Sequence, residues 1–298
     1  MTNYSPIVLF VYNRLFHTQK TVEALKKNYG AKNSELIIYS DAFKDVDGEK
    51  KVNDVRKYLK TIKGFKSVKI IERKENYGLA KSIISGVSEV VNKYGSIIVL
   101  EDDLVTSKYF LQYMNDALDV YHNENKVISI HGYVYPVKKQ LPETFLMRGA
   151  DCWGWATWKR GWRLFESDAI KLKKELIKKK LVNKFNMDGA SKYMDMLDGF
   201  IDGKNNSWAV RWHASAILND KLTLYPRKSL VKNIGLDNSG VNSSYDRSLV
   251  SEVSDSKINV IKLKIEEDNS SFLIIKDKLT SCDKNIFIKI LNWIINRI

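Results

Sequence analysis

The chain has 298 residues, 44% hydrophobic and 28% charged, with 49 lysines and arginines against 35 acids and a net charge of +14. That length builds one large domain or one and a half, with a core big enough to need no staples. Four prolines and no repeat or low-complexity tract exclude solenoids and long disordered linkers.

The basic excess suits nucleic acid, an anionic membrane surface or phosphorylated substrates. No nucleic-acid-binding motif occurs, so nucleic acid ranks last. The densest basic run, Lys171–Lys184, reads as a helix with a solvated charged face. Two distant cysteines, Cys152 and Cys282, lack metal-ligand spacing and suit a reducing compartment. The apolar run Ile7–Tyr12 is strand-sized, not a signal peptide, and no stretch reaches the roughly 18 apolar residues of a membrane span. The expected location is cytoplasmic, peripheral to the inner face of the membrane.

In chain order, the first half alternates strand and helix patterns. Strands are predicted at Pro6–Tyr12, Glu35–Tyr39, Ser67–Glu72, Ser96–Leu100 and Lys126–His131. Helices are predicted at Thr18–Asn28, Glu49–Ile62, Gly78–Tyr94 and Lys108–Tyr121. The continuous apolar runs mark strands buried on both faces, and the alternation specifies an α/β fold with a mostly parallel central sheet flanked by helices. The second half is helix-rich, with helices at Ile170–Lys184, Ala190–Ile201 and Trp208–Asn219, then short β runs at Leu222–Tyr225 and Leu230–Ile234 and a turn-rich loop over Gly235–Ser244. Trp155, Trp158 and Trp162 stand at helical spacing and are expected to pack one helix. The expected division is residues 1–132, then 133–250 packed on the same sheet, then an extension over 251–298 that ends in an amphipathic helix, Asn285–Ile298. That last helix is read as a membrane-surface contact, a core helix or a dimer contact.

In open α/β sheets, ligands bind beyond the carboxyl ends of the strands. The polar residues there are Asn13-Arg14, Asp41, Asn76 and the run Glu101-Asp102-Asp103. Three consecutive carboxylates after a buried strand repel one another unless a counter-charge is present. A divalent cation with the phosphates of a nucleotide would supply it, and a solvated turn capping the next helix is the plainer reading.

Strand–Asn-Arg, strand–Ser-Asp, Glu75-Asn76-Tyr77-Gly78-Leu79-Ala80-Lys81, then Ile97-Ile98-Val99-Leu100-Glu101-Asp102-Asp103-Leu104: in this order the motifs resemble the nucleotide-binding half of GT-A glycosyltransferases. They are most similar to the inverting N-acetylglucosaminyltransferase of hybrid N-glycan synthesis and to bacterial polysaccharide transferases, over residues 6–245. The resemblance implies Asp103 as the ligand of Mn²⁺ (or Mg²⁺), with Glu101 and Asp102 beside it. It implies Arg14 and Asp41 on a uracil and Lys81 near phosphate or ribose.

On the acceptor side, Arg148-Gly149-Ala150-Asp151-Cys152-Trp153-Gly154-Trp155 resembles the segment bordering donor and acceptor sugars. Asp151 takes a catalytic role, and Trp153 and Trp155 acceptor-binding roles. Ser207–His213 resembles the helix that carries the relatives' general base, but Ala209 stands where they have aspartate. Asp151, Asp202 and His213 are then the substitutes for the base, and Arg211 a contact to the diphosphate. Asn233–Gly240 resembles a loop closing over the donor, with Asp237 as a donor contact.

The implied function is transfer of a sugar from a nucleotide diphosphate, UDP-linked, to a glycan or lipid-linked glycan in surface polysaccharide synthesis. A sugar-phosphate nucleotidyltransferase is the first rival, but Val11–Phe16 lacks the glycines that would cradle a triphosphate. A non-catalytic glycan-binding relative, suggested by Ala209, is the second.

Overall fold

The computed structural model describes residues 4–237 and 249–281. In chain order its elements are β1 (Ile7–Val11), α1 (Leu15–Lys26), β2 (Glu35–Ser40), α2 (Val46–Leu59), β3 (Ser67–Glu72), α3 (Gly78–Tyr94), β4 (Ser96–Glu101), β5 (Leu104–Thr106), α4 (Phe110–Val120) and β6 (Val127–His131). Then come β7 (Thr144–Arg148), β8 (Trp155–Trp158), α5 (Lys159–Trp162), α6 (Ala169–Lys178), α7 (Val182–Phe185), α8 (Tyr193–Ile201), α9 (Ala209–Leu218), β9 (Leu222–Pro226) and β10 (Val231–Asn233). Residues 269–281 are helical.

One eight-stranded sheet, in the order β3-β2-β1-β4-β8-β6-β9-β7, runs through both halves of the chain. Its first four strands are mutually parallel. β1 lies between β2 and β4 with every residue buried, as its unbroken apolar sequence requires. β3, on the edge, is exposed or half-buried throughout. α3 lays Ala80, Ile83, Val87, Val90 and Val91 on the sheet. A Cβ added at Gly86 would come within 2.8 Å of the Phe10 ring and 2.9 Å of Tyr39, so only glycine lets this helix approach the stacked rings so closely.

The expected tryptophan helix is a strand instead. β8 inserts between β4 and β6, antiparallel to both, with Val99 opposite Trp155 and Ser96 opposite Trp158. A spacing of three residues fits one helix face, but in a strand it sends the two side chains to opposite faces. Trp158 joins the cluster under α1 and α4, while Trp155 joins Trp162, Trp208 and Trp212 on the other side. The helix expected over Ile170–Lys184 breaks at Lys180, whose φ is +56°, into α6 and α7. The one expected from Ala190 starts at Tyr193. β5 and β7, too short to stand out in the sequence, complete the picture.

Part of the extension after residue 250 packs on the body. Tyr121 Oη donates to the carbonyl of Ile261 at 3.1 Å, and Phe272 and Ile275 are buried with Phe145, Met147 and Tyr225. Among the described residues no helix is long and apolar enough to cross a membrane. Cys282, the residues of the turn-rich loop beyond Asp237 and the apolar segment Asn285–Ile298 lie outside the described residues.

Candidate active site

β4 delivers Glu101, Asp102 and Asp103 to the carboxyl edge of the sheet, beside the loop between β1 and α1. Arg14, the residue before α1, turns its guanidinium onto them. Nη2 pairs with Asp102 Oδ1 and lies 2.7 Å from Asp103 Oδ2. The backbone of the acids is pinned as well. Thr21 Oγ1 donates to the carbonyl of Asp102 at 2.8 Å, and the Ile234 N–H donates to that of Asp103 at 2.9 Å.

Three carboxylates against one guanidinium leave negative charge unpaid. Burial, then the charges of Asp103 and Asp102, push Glu101 up to about 8 against the pull of Arg14. Burial also raises Asp102, to about 6, although Arg14 draws it down. Hard oxygen donors carrying excess negative charge suit Mn²⁺ or Mg²⁺. As placed, the Asp102 and Asp103 oxygens are turned to Arg14, and among the described residues no group of three His, Cys, Asp or Glu side chains is gathered as metal ligands. By donor type and charge the cluster fits the ion, with Arg14 as the resident counter-charge.

A short strap crosses this cluster. β10 pairs antiparallel with β5, Asn233 opposite Leu104, and the chain continues over Asp103. A Cβ added at Gly235 would overlap Asp103 Oδ2 and stand 3.0 Å from Arg14 Nη1. Two residues on, Asp237 Oδ2 lies 3.1 Å from His17 Nε2 on α1.

Opposite stands Asp151, just past a turn in which Gly149 has φ +88° and presses on the His213 ring. Its Oδ1 accepts from the Cys152 N–H at 2.9 Å, and its Oδ2 accepts from Tyr135 Oη at 3.4 Å. His131, the fully buried last residue of β6, accepts the Trp153 N–H on Nε2 at 3.1 Å. Nδ1 then carries its proton, and it faces Asp151 Oδ2 across 3.8 Å. Burial holds this imidazole below its ordinary range, with Asp151 pulling the other way. The Cys152 thiol joins the two walls: burial, then Asp151, Glu101 and Asp103, push it well above the usual thiol range.

The other expected residues divide. Asp41 is buried and committed to backbone: Oδ1 accepts from Ala42 and Tyr77 N–H at 3.0 and 2.8 Å, and Oδ2 accepts from Gly78 N–H at 2.8 Å, capping α3. Lys81 is exposed, its Nζ 4.0 Å from the Tyr77 ring centroid. Trp153 is partly buried, edge-on to Tyr133 at 4.7 Å.

Four of the expected residues have partners elsewhere in the fold. Trp155 is 1% exposed inside the tryptophan cluster and has no face for a sugar. Arg211 lies over Phe200 and donates from Nε to the carbonyl of Ser207 and from Nη1 to that of Ser167. Asp202 sits at the exposed end of α8, paired with Lys204 at 2.9 Å. His213 is buried, its ring nitrogens on Ala150 and on the carbonyl of Phe185, and it supports the Asp151 turn from below. The reading of the sequence passed over His131, Tyr135, Thr21 and His17. Only His131 carried a signal, as a polar residue closing a buried strand.

Among solved structures, three align with the chain at low identity and low TM-score. One is TarS of S. aureus, at 16% identity over 47% of this chain with a TM-score of 0.33; the chain spans 24% of that protein. A second is the mannosyltransferase PcManGT from Pyrobaculum calidifontis, solved with GDP-Man and Mn²⁺, at 12% identity over 72% of this chain and 70% of that one, with a TM-score of 0.41. UDP-glucose pyrophosphorylase complexed with UDP-glucose gives 10% identity over 76% and 91% of the two chains, with a TM-score of 0.36. No curated protein matches the sequence. The family model described as glycosyl transferase family 2 matches residues 7–169, more than half the chain, and spans β1 to β8, Arg14, the three acids and Asp151. With a sheet of the GT-A type beneath those residues, the chain belongs to glycosyl transferase family 2.

Proposed function

We propose that this glycosyltransferase takes a sugar from a nucleotide diphosphate, UDP-linked, in a metal-dependent inverting reaction, and passes it to a glycan or lipid-linked glycan acceptor. One observation carries the reading. An under-neutralised acidic cluster closes β4, and the strand paired with β4, β8, follows directly on a segment that holds a second carboxylate, Asp151.

Asp103, with Glu101 and Asp102, would hold Mn²⁺ or Mg²⁺, which when bound neutralises charge on the departing diphosphate. Arg14, beside these acids, would contact the nucleotide, a role a planar guanidinium can serve by stacking or by paired hydrogen bonds. Lys81 at the start of α3 stands ready for phosphate or ribose. Trp153 offers an aromatic face to the acceptor sugar. Asp151 takes the proton of the acceptor hydroxyl as that oxygen bonds to the anomeric carbon and the bond to the diphosphate oxygen breaks. Cys152 N–H and Tyr135 Oη each hold one oxygen of Asp151 and so fix its direction. The strap carrying Gly235 and Asp237 would exclude water from the donor. Activity in surface polysaccharide synthesis at the inner face of the membrane belongs to the same proposal.

The test is a thermal-shift and calorimetric panel of UDP, GDP and ADP with and without Mn²⁺. UDP should stabilise the protein in a Mn²⁺-dependent way, by about 2.7 kcal/mol at a hundredfold excess over Kd. Asp103→Ala should abolish that shift without loss of fold, since it removes one of three mutually repelling charges. Binding of UDP that ignores both the metal and Asp103 would refute the donor-side reading.

A further inference from the structure

Tyr135 belongs to two places at once. Its hydroxyl is on Asp151, and it also lines a separate cavity of about 340 Å³ between the segment after β6 and the turn after β9. Around that cavity stand Lys138, Lys139, Arg227 and Lys228, against a single lining carboxylate, Glu252, which is drawn to Lys232 at 3.1 Å. Among the described residues Lys138, Lys139 and Lys228 form no ion pair. Arg227 reaches Glu143 through Nη2 at 3.3 Å, but its Nε is buried with no hydrogen-bond partner among the described residues. A buried guanidinium N–H without an acceptor is costly, and four cations around one concavity repel one another. The repulsion among the four falls when an anion with several acceptor oxygens enters. Apolar Val134 and Leu141, also in the lining, would suit the carbon part of such a molecule.

The geometry points to this cavity as a binding site for a phosphate group carried by the acceptor, the bridge to the reacting hydroxyl being Tyr135. The inference rests on Asp151 as the acceptor-side base. It narrows the acceptor class to phosphate-bearing molecules, whether soluble phosphate esters or lipids with a phosphate headgroup. It also gives part of the positive net charge a specific task.

Calorimetry with glycerol phosphate, in the absence of nucleotide and metal, tests it directly. The wild-type protein should bind the ester with an affinity that falls as salt rises. The double variant Lys138→Ala/Lys228→Ala should bind it about ten- to a hundredfold more weakly, the loss expected for charge-assisted contacts. Asp103→Ala should bind it as the wild type does. Sedimentation with phosphatidylglycerol vesicles, against phosphatidylcholine ones, separates the two sources. Retention that needs the two lysines, without binding of the soluble ester, assigns the phosphate to a lipid headgroup. Ester binding or vesicle retention that is equal in wild type and lysine variant overturns the proposal, as does no binding of either probe. Mn²⁺-dependent UDP binding, measured on the same samples, should be unchanged in the lysine variant. Ester binding without any UDP binding would sink the donor reading and leave the cavity assignment standing.

Discussion

Gly235 lies flat against the carboxylate of Asp103, with no room between them for a single methyl group. The strap over the acidic cluster can therefore rest in place only while residue 235 lacks a side chain. Gly235→Ala should displace either the strap or Asp103 from Arg14. Overpacking typically costs about 1–3 kcal/mol, so Mn²⁺-dependent nucleotide affinity should fall about fivefold or more. Calorimetry giving wild-type affinity in this variant would show that the strap is not part of the donor site.

Asp41 offers a sharper contrast between structure and binding. Three backbone N–H groups converge on its carboxylate and tie the end of β2 to the start of α3. Asp41→Ala should cost about 2 kcal/mol in a urea melt, since buried donors lose a charged acceptor. Asp41→Asn, which keeps one acceptor oxygen, should cost less. One lone pair on Oδ2 stays open for a uracil N–H, so a further loss restricted to uridine nucleotides is expected. Equal loss across UDP, GDP and ADP would leave Asp41 a purely structural role.

Asp151→Asn preserves shape and removes the proton acceptor. Transfer should fall about 10²–10⁴-fold, the usual cost of losing a general base, with UDP–Mn²⁺ affinity unchanged. A raised acceptor KM with nearly normal kcat would instead make Asp151 a positioning residue.

Burial holds His131 and His213 below the ordinary histidine range in the folded protein. The unfolded chain binds protons at these two sites from about pH 6.5 downward, and the folded chain takes them up only at lower pH. Their contribution to stability is thus complete above that pH and shrinks as pH falls below it. Glu101 and Asp102, raised by burial, act with the opposite sign, so the histidine effect is best read site by site. Proton NMR should show both imidazole resonances titrating at lower pH than an exposed histidine, and an ordinary midpoint near pH 6.5 would contradict the burial effect.

Much of the donor side was legible in the sequence, because its signals are local. Ile7–Val11 and Ile97–Leu100 are apolar without interruption, and acids or Arg14 follow at once, so strand, edge and charge can be read together. The acceptor side depends on long-range contacts that leave no local trace. Trp155 and Trp158 fit a helix by spacing and a strand only by pairing with β4 and β6. Arg211 looks available for phosphate until its carbonyl partners, Ser167 and Ser207, are seen. His131 and Tyr135 reach Asp151 only because the sheet folds their segments together.

The register of β8 on β4 has a consequence for the reaction itself. With Val99 opposite Trp155 and the strands antiparallel, each step toward the acids on β4 is matched by a step back toward Asp151. The pairing stops short of both groups: Asp102 and Asp103 stand in a turn after β4, and residues 153–154 form a bend before β8 in which Gly154 has φ +65°. The sheet therefore fixes where the turn and the bend begin, and their own backbone sets how far apart the acids and Asp151 stand. A residue inserted or removed within 152–154 would be taken up in that bend and would move Asp151 relative to the acids while β8 keeps its register on β4. Changes of acceptor among related chains should accordingly spare the length of this segment and fall in the walls around it.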